Sequence, residues 1–526
     1  MSTVAEVLFS LRRRGVKVWS DGGQLHYQAP KGGLSAEERS ALKTLKAEIM
    51  AFLKSPRPIG SEPPLCPRSR SDQIPLTFSQ RWMWNIHKLE GEVSRIGVLP
   101  SVLRLSGRLD IDLLRQSFTA LVHRHESLRT RVILSDGTPM QHVEAASEFD
   151  LPVVDLSCLP QCQHDAEARR IAEQLAYGAR PAASGALFEA ALLKSGEREH
   201  VLVIAIHHLI SDGASIGILL RDLFALYTQQ AQQQPCGLPE IAIQFADYAV
   251  WQQAAQQSWL EQHGGYWTQH LTGARRLQLV PDGSIIHNPA TIQTLPFSFG
   301  GTLSAGLRSS SHRQQTTTVM GVLTAYAAAV MRCYDQKDIV IPFLTLGRPR
   351  REVENTIGFF GVPLFLRITS SASDDFQDLL KRVTDEYANA SEHHDFCRIA
   401  ALTPQAELAW NPTFNWLPRE FSRPATQVIP TCPDGDAITV SPCDFTVTFN
   451  GVFQWEGELL VEISEAAAEI VGTIRYRADC FTAATAQHFI VDFRTLAQQL
   501  VENPGTRIDS VPMASPSSLH SDRTVA

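Results

Sequence analysis

The chain has 526 residues, 44% of them hydrophobic and 19% charged, with a formal net charge of −8. That length leaves room for several domains and an ample core, and the composition is that of an ordinary globular protein. The negative balance excludes a globally basic surface for nucleic acid, and no apolar run reaches membrane-spanning length. Arg12-Arg13-Arg14 come after the first apolar residues, an order unlike a signal peptide. Nine cysteines scattered without an export signal read as reduced thiols of a cytoplasmic protein. Cys158, Cys162 and His164 form the one cluster with metal-ligand spacing; it lacks a second half, so no metal site is expected.

Val4, Val7, Leu8 and Leu11 recur at helical spacing and predict a short amphipathic helix over 3–14. The alternating runs at 16–19 and 24–27 flank Ser20-Asp21-Gly22-Gly23 and predict a β-hairpin. Ser35-x-x-Glu38 is a capping box for a second helix, with Leu42, Leu45, Ile49, Phe52 and Leu53 on one face. Residues 1–55 are therefore expected to form a complete αββα domain. They carry nine Lys and Arg against five Asp and Glu, a balance of +4. An open hairpin edge on a basic segment suits an added strand from an acidic partner; the alternative is a basic face that is merely solvated. Residues 56–73 hold Pro56, Pro58, Pro63, Pro64 and Pro67 and read as an extended linker.

In the main body, Leu113, Leu114, Phe118 and Leu121 pattern a helix over 113–123. Val201-Leu202-Val203-Ile204-Ala205-Ile206 is a continuous apolar run and predicts a buried strand. It leads into His207-His208-Leu209-Ile210-Ser211-Asp212-Gly213, and then into a helical pattern over 215–224. Two histidines at a strand end, an aspartate four residues after the second, and a glycine before a helix bring titratable groups to a position suited to chemistry. A positioned imidazole exchanges protons near neutral pH. The alternative is a pair of satisfied core histidines. Further on, a helix is predicted over 319–334, a strand over 338–343, and a last helix over 485–500; residues 513–526 read as a disordered tail.

His207-His208-x-x-x-Asp212-Gly213 is an HHxxxDG motif, and the body resembles the condensation domains of nonribosomal peptide synthetases. Four further stretches carry the resemblance in the same order: Leu76-Thr77-Phe78-Ser79-Gln80-Arg81-Trp82-Met83-Trp84, Arg124-His125-Glu126-Ser127-Leu128-Arg129-Thr130-Arg131, Phe245-Ala246-Asp247-Tyr248-Ala249-Val250-Trp251, and Gly347-Arg348-Pro349 leading to Ile357-Gly358-Phe359-Phe360. In the first, Trp82 stands where arginine is common. The resemblance implies an α/β (α+β) fold of two chloramphenicol-acetyltransferase-like lobes in a V, spanning 74–253 and 254–512. A strand near 438–449 would cross from the second lobe to the first.

The resemblance also implies the roles. His208 would be the catalytic base and His207 a core residue that fixes the backbone. Gly213 would let the backbone approach a pantetheine arm and turn its amide to the oxyanion. Asp212 would be held in a structural ion pair by Arg348, with Arg129 as second choice. Ser211, Ala214, Gly361 and Val362 would line the substrate channel, Ala214 leaving it roomy beside His208. Residues 1–55 resemble the tubulysin-type β-hairpin docking domains at the N-termini of synthetase subunits, which implies docking through Arg14, Lys17, Trp19, Tyr27 and Lys31 to the C-terminal tail of an upstream acyl or peptidyl carrier protein. No cofactor is bound by the chain; the partner's carrier supplies phosphopantetheine.

The chain departs from the family pattern at Gly361-Val362-Pro363 and at Phe396-Cys397-Arg398, and it runs out after Val511-Pro512-Met513 without a downstream carrier. It is in this similar to the chain-releasing condensation enzymes of enacyloxin-type polyketide assembly. The expected reaction is acyl transfer from a carrier thioester to a small free acceptor, an alcohol favoured over an amine. The alternatives are amide formation between two carrier-bound substrates and a non-catalytic recruitment domain.

Overall fold

The structure is a computed structural model and describes residues 17–21, 24–28, 63–70, 73–89, 97–177, 186–234, 237–277, 292–348, 350–393, 411–417, 427–430, 437–443, 459–465, 468–478 and 480–514. It divides into two units, Met1–Pro64 and Leu65–Ala526. In the first unit, β1 (Lys17–Asp21) and β2 (Gln24–Gln28) pair antiparallel with Asp21 opposite Gln24. The strands thus run further than the sequence reading, and Gly22 and Gly23 alone lie between them. Lys17 and Trp19 are on β1 and Tyr27 is on β2; Arg14, Lys31 and both predicted helices of this segment lie outside the described residues.

The second unit begins inside the expected linker. Leu65 packs on the main core. The Arg68 amide donates to Asp247 Oδ1 at 2.9 Å, and the Arg70 guanidinium grips both Asp247 oxygens while its Nε donates to Glu126 at 2.7 Å. Asp247 is buried, so its charge needs such a counterion. The stretch 65–70 is therefore part of the folded body, which corrects the linker's expected end at 73.

The first half of the body contains β3 (Ile74–Pro75), α1 (Phe78–Leu89), β4 (Val98–Ser106), α2 (Ile111–Arg124), β5 (Thr130–Ser135), β6 (Thr138–Val143), β7 (Val153–Asp155), α3 (Gln161–Tyr177), β8 (Phe188–Lys194), β9 (Glu199–His207), α4 (Gly213–Gln232) and α5 (Phe245–His270). Its second half contains β10 (Ile292–Ser298), α6 (Gly300–Arg313), α7 (Thr318–Tyr334), β11 (Asp338–Thr345), β12 (Val362–Thr369), α8 (Phe376–Glu392), β13 (Thr413–Leu417), β14 (Gln427–Pro430), β15 (Ala437–Pro442), β16 (Leu459–Glu465), β17 (Ile470–Arg477) and α9 (Ala483–Glu502). Two six-stranded sheets result, ordered β14-β15-β4-β9-β8-β7 and β10-β17-β16-β13-β11-β12, with a small β3-β6-β5 sheet beside the first.

Strand β9 is buried at every residue after Glu199 because helices cover both faces of its sheet. Successive strand residues point to opposite faces. Leu202, Ile204 and Ile206 join a core that includes Leu114, Phe118, Leu219 and Leu223 of α2 and α4, while Val201 and Val203 join Ala168 and Ala172 of α3. Each such side chain contributes about 1.5–3 kcal/mol of transfer free energy, so β9 is a rigid base for whatever its end carries.

The division expected at 253–254 falls inside α5, one continuous helix seated by buried Trp251, Trp259 and Trp267. The chain at the expected boundary is thus helical. A second link runs the other way. Strand β15 pairs antiparallel with β4, from Thr439 opposite Ser106 to Pro442 opposite Leu103. The expected crossing strand at 438–449 is in place over its first part; 444–450 lie outside the described residues. Its neighbour β14 was not legible, being short and ending at Pro430. At the far end Met513 packs on the core and the Ala514 amide donates to Asp492, so the expected tail begins later than 513.

Candidate active site

The end of β9 becomes a 3₁₀ turn, His208–Ile210, and then α4. His207 is buried, and its Nδ1 accepts the Leu209 amide at 3.0 Å, so its ring caps the turn. His208 is half-buried. Its Nδ1 lies 2.7 Å from the Ser211 carbonyl. A carbonyl only accepts, so Nδ1 carries the proton and the neutral ring keeps its lone pair on Nε2. Burial pushes the His208 pKa below the ordinary imidazole value, prevailing over the Asp212 charge and the Ser211 bond, which pull it up. At neutral pH this is an unprotonated base with a fixed tautomer.

Several supports of this turn were not legible in the sequence. Gln80 Nε2 on α1 donates to the Leu209 carbonyl at 2.8 Å. Gly97 accepts the His208 amide through its carbonyl. Its φ is +86°, and a Cβ there would stand 3.4 Å from His207 Cε1, His208 Cβ and Met83 Sδ. The positive φ is what favours glycine here, since the contacts alone are of ordinary van der Waals length. The motif that holds Gln80 implies no task for it, and nothing in the sequence around Gly97 signals its contact.

Asp212 is the N-cap of α4, its Oδ1 accepting the Ser215 amide at 2.9 Å and the Ser215 hydroxyl at 2.8 Å. The Arg348 guanidinium meets it bidentately, Nη1 to Oδ2 at 2.8 Å and Nη2 to Oδ1 at 3.0 Å, with both side chains under a tenth exposed. The Phe360 amide adds a bond to Oδ2 at 3.1 Å, and the guanidinium lies 4.5 Å over the Phe360 ring. Burial alone would raise the Asp212 carboxyl; Arg348 and the Ser215 bonds outweigh it and hold the pKa below the usual carboxylate range. Arg129, the second choice for this role, instead donates to the Glu144 carbonyl.

The loop 357–360 between β11 and β12 is locked onto the first half. Ser127 Oγ donates to the Ile357 carbonyl at 2.6 Å, and the Gly358 amide donates to Ser215 Oγ at 3.1 Å. A Cβ on Gly358 would stand 2.1 Å from Phe245 Cδ2, so the helix carrying Phe245 approaches only because that side chain is absent. Phe359 then lies against the base, ring centroids 4.4 Å apart at 50° to His208.

The expected channel residues divide. Gly361 is half-buried and its carbonyl accepts from Ser79 Oγ at 3.0 Å. Ala214, Ser211 and Val362 are 1%, 0% and 3% exposed. The roomy channel expected at Ala214 is thus corrected: with Asp212 as cap, residue 214 turns into the core. Ser211 spends its hydroxyl on the His207 carbonyl. Gly213 is different. A Cβ there would meet nothing nearer than Leu417 Cδ2 at 3.7 Å, so packing does not demand glycine. His125 and Asp222 form a second buried pair, 2.9 Å apart, with Arg124 and Arg221 on the same carboxylate. Burial would raise Asp222, but His125 and Arg124 bring it down to about 2. Among the described residues no three His, Cys, Asp or Glu converge as metal ligands, and no helix is long and apolar enough to cross a membrane.

The Condensation domain family profile matches residues 70–520, and the TubC N-terminal docking domain profile matches 4–55. A linear gramicidin synthase from Brevibacillus parabrevis is 30% identical over 463 residues, 86% of this chain but 9% of that protein. A chondramide synthase from Chondromyces crocatus is 30% identical over 463 residues, 86% of this chain and 12% of that protein. The chain thus spans about a tenth of the length of such relatives. Among solved structures, the X-domain from teicoplanin biosynthesis superposes with a TM-score of 0.73 at 24% identity, covering 86% of this chain and all of that one. A condensation domain mediating chain release from the enacyloxin polyketide synthase superposes with a TM-score of 0.62 at 20% identity, over 95% of this chain and 97% of the other.

Proposed function

The chain belongs to the condensation-domain family of acyltransferases found in nonribosomal peptide synthetases, with an N-terminal docking domain, and from that premise we propose that His208 drives transfer of an acyl chain from a carrier thioester to a small free acceptor. The observation that carries the reading is the His208 tautomer: a proton pinned on Nδ1, a lone pair on Nε2, and burial keeping the ring neutral. The acceptor's O–H or N–H gives its proton to Nε2 as its lone pair attacks the thioester carbonyl. The tetrahedral intermediate collapses, the C–S bond breaks, and Nε2 returns the proton to the departing thiolate. In this reading the Gly213 amide, at the start of α4, faces the oxyanion; a Cβ there would meet only Leu417, at 3.7 Å, which leaves room for the arm. No cofactor of the chain takes part; phosphopantetheine arrives on the carrier. The reaction belongs in the cytoplasm.

The free acceptor is supported by the likeness to the enacyloxin chain-release domain across nearly the whole of both chains and by the departures at Gly361-Val362-Pro363 and Phe396-Cys397-Arg398. The buried Ala214 lends it no support. Single-turnover transfer from one loaded carrier to matched free alcohol, free amine and carrier-bound amine tests it. Free alcohol and free amine are expected to react, the alcohol giving an ester; reaction of the carrier-bound amine alone would assign the domain to ordinary amide formation.

Residues 1–55 are proposed to bind the tail of the upstream carrier protein. Deleting them is expected to raise the carrier concentration needed for half-maximal rate while leaving the unfolding midpoint of the remaining body unchanged, and added salt is expected to weaken the intact protein's docking in the same direction. Equal rates with and without the segment at limiting carrier would remove the assignment.

A further inference from the structure

His208 comes from the first sheet, yet the ring against it comes from the second. Phe359 lies in the loop between β11 and β12, and that loop has little freedom. Ile357 is held through its carbonyl by Ser127, Gly358 is wedged between Ser215 and Phe245, and Phe360 donates its amide to Asp212 while its ring lies under Arg348. The anchors come from the turn at Ser127, from α4 with its cap and from α5, Arg348 excepted. The Phe359 backbone is therefore fixed to either side of the residue, and its ring, 6% exposed, is directed onto the imidazole.

The bond from Nδ1 to Ser211 fixes one edge of the His208 ring, and the Phe359 ring lies against its face. We propose that Phe359 is a positioning residue: it fixes the plane of the His208 imidazole and keeps water from one face, so that the base is complete only when the second lobe's loop is seated on the first. This inference rests on the reading of His208 as the base in acyl transfer.

The charged and titratable groups around the imidazole are Asp212 at the start of α4, His207 at the end of β9, and Arg348 behind Asp212; from α1 come uncharged Gln80 and Met83. Replacing Phe359 alters none of these charges. It changes the water around the ring, and burial is the leading cause of the depressed His208 pKa. Rehydration raises that value toward an ordinary imidazole, so a base that must be unprotonated starts to fail at a higher pH. A direct stabilisation of imidazolium by the Phe359 face would have the opposite sign, its loss lowering the value.

The experiment uses the full chain with Phe359→Ala and, as the milder variant should alanine fail to fold, Phe359→Leu. Two readouts are followed: the NMR titration of the His208 Cε1 proton, assigned by its absence in His208→Gln, and the pH profile of single-turnover transfer from a loaded carrier. In Phe359→Ala the titration midpoint and the acid limb of the rate are expected to move up together. The maximal rate should fall on the order of 10-fold to 100-fold, as for a base displaced by a fraction of an ångström to an ångström. The donor concentration for half-maximal rate should stay unchanged, and leucine should fall between alanine and the parent. An unmoved or lowered midpoint in both variants overturns the proposal. A raised midpoint in a protein whose transfer survives His208→Ala would leave the positioning intact and overturn the acyl-transfer reading instead.

Discussion

Replacing His208 with alanine is expected to lower single-turnover acyl transfer by about 10²–10⁴-fold, the range of a lost general base, without loss of the fold. His208 is half-buried at the start of a turn that is also bonded by main chain, by His207 and by Gln80. Its own ring bonds to that turn at the Ser211 carbonyl. The size of the loss reports the acceptor. A free amine already offers its lone pair, so much of its attack survives without a base. A hydroxyl becomes a competent nucleophile only as its proton leaves, so an alcohol acceptor should show the upper end of the range. Transfer by the intact enzyme should fall as the pH drops through the depressed His208 pKa, since the protonated ring cannot accept a proton. Loss of the acid limb in His208→Ala, with the remaining rate flat in pH, is the accompanying signature. A variant that keeps the parent's rate and acid limb would assign the base elsewhere.

Removing either half of the Asp212–Arg348 pair is expected to destabilise the body by about 3–5 kcal/mol, the cost of leaving one buried charge without its partner. The two truncations differ in their pH dependence. In the parent, the Asp212 pKa is lowered in the fold, so its contribution is fully present above the unfolded carboxylate value and is lost as the pH falls through the lower folded value. Arg348→Ala reverses this sign. Burial then acts on Asp212 without the cation, the folded pKa rises above the unfolded one, and the penalty is largest at neutral pH and shrinks toward acid as the carboxyl protonates. Asp212→Ala strands a cation that does not deprotonate, so its penalty should hold from neutral pH down to the unfolded carboxylate value and narrow only as the parent itself loses the Asp212 charge, increased by about 1 kcal/mol for the lost helix cap. Asp212→Asn keeps an acceptor for the Ser215 amide and separates the two contributions. Denaturant midpoints at neutral and acid pH measure all of this, and parallel curves for the two alanine variants would contradict the assigned charge pairing.

Much of this architecture could be read from local pattern. The apolar run into His207 predicted β9, and the histidine turn, the following helix and Arg348 lie where the motifs placed them. Such features depend on neighbours a few residues away. The contacts that complete the site do not. Gln80 under Leu209, Gly97 behind His208 and Phe359 on its ring each join segments far apart in the chain. Periodicity carries no information about such meetings. The misplacement of Ala214 has a simpler cause. Residues 215–224 were read as the helix, but its first turn begins at Gly213 with Asp212 as cap. That early start rotates residue 214 toward the core, since each helical residue advances by about 100°. The end of the linker was misjudged because proline content describes backbone stiffness and says nothing of Arg70 finding Asp247.

The borrowed strand β15 has a consequence for biosynthesis of the protein itself. When β4 leaves the ribosome its outer edge, later covered at 103–106 by residues 439–442 of β15, has no partner, and the strands that fill it come more than 300 residues later. Closing so long a chain segment is entropically slow. Throughout that interval a bare strand edge is presented to other nascent chains, the kind of surface on which aggregation starts. A first lobe expressed alone should therefore be soluble only with a supplied peptide spanning β14 and β15, and production of the full chain should respond more to elongation rate beyond α8 than to the stability of the finished fold.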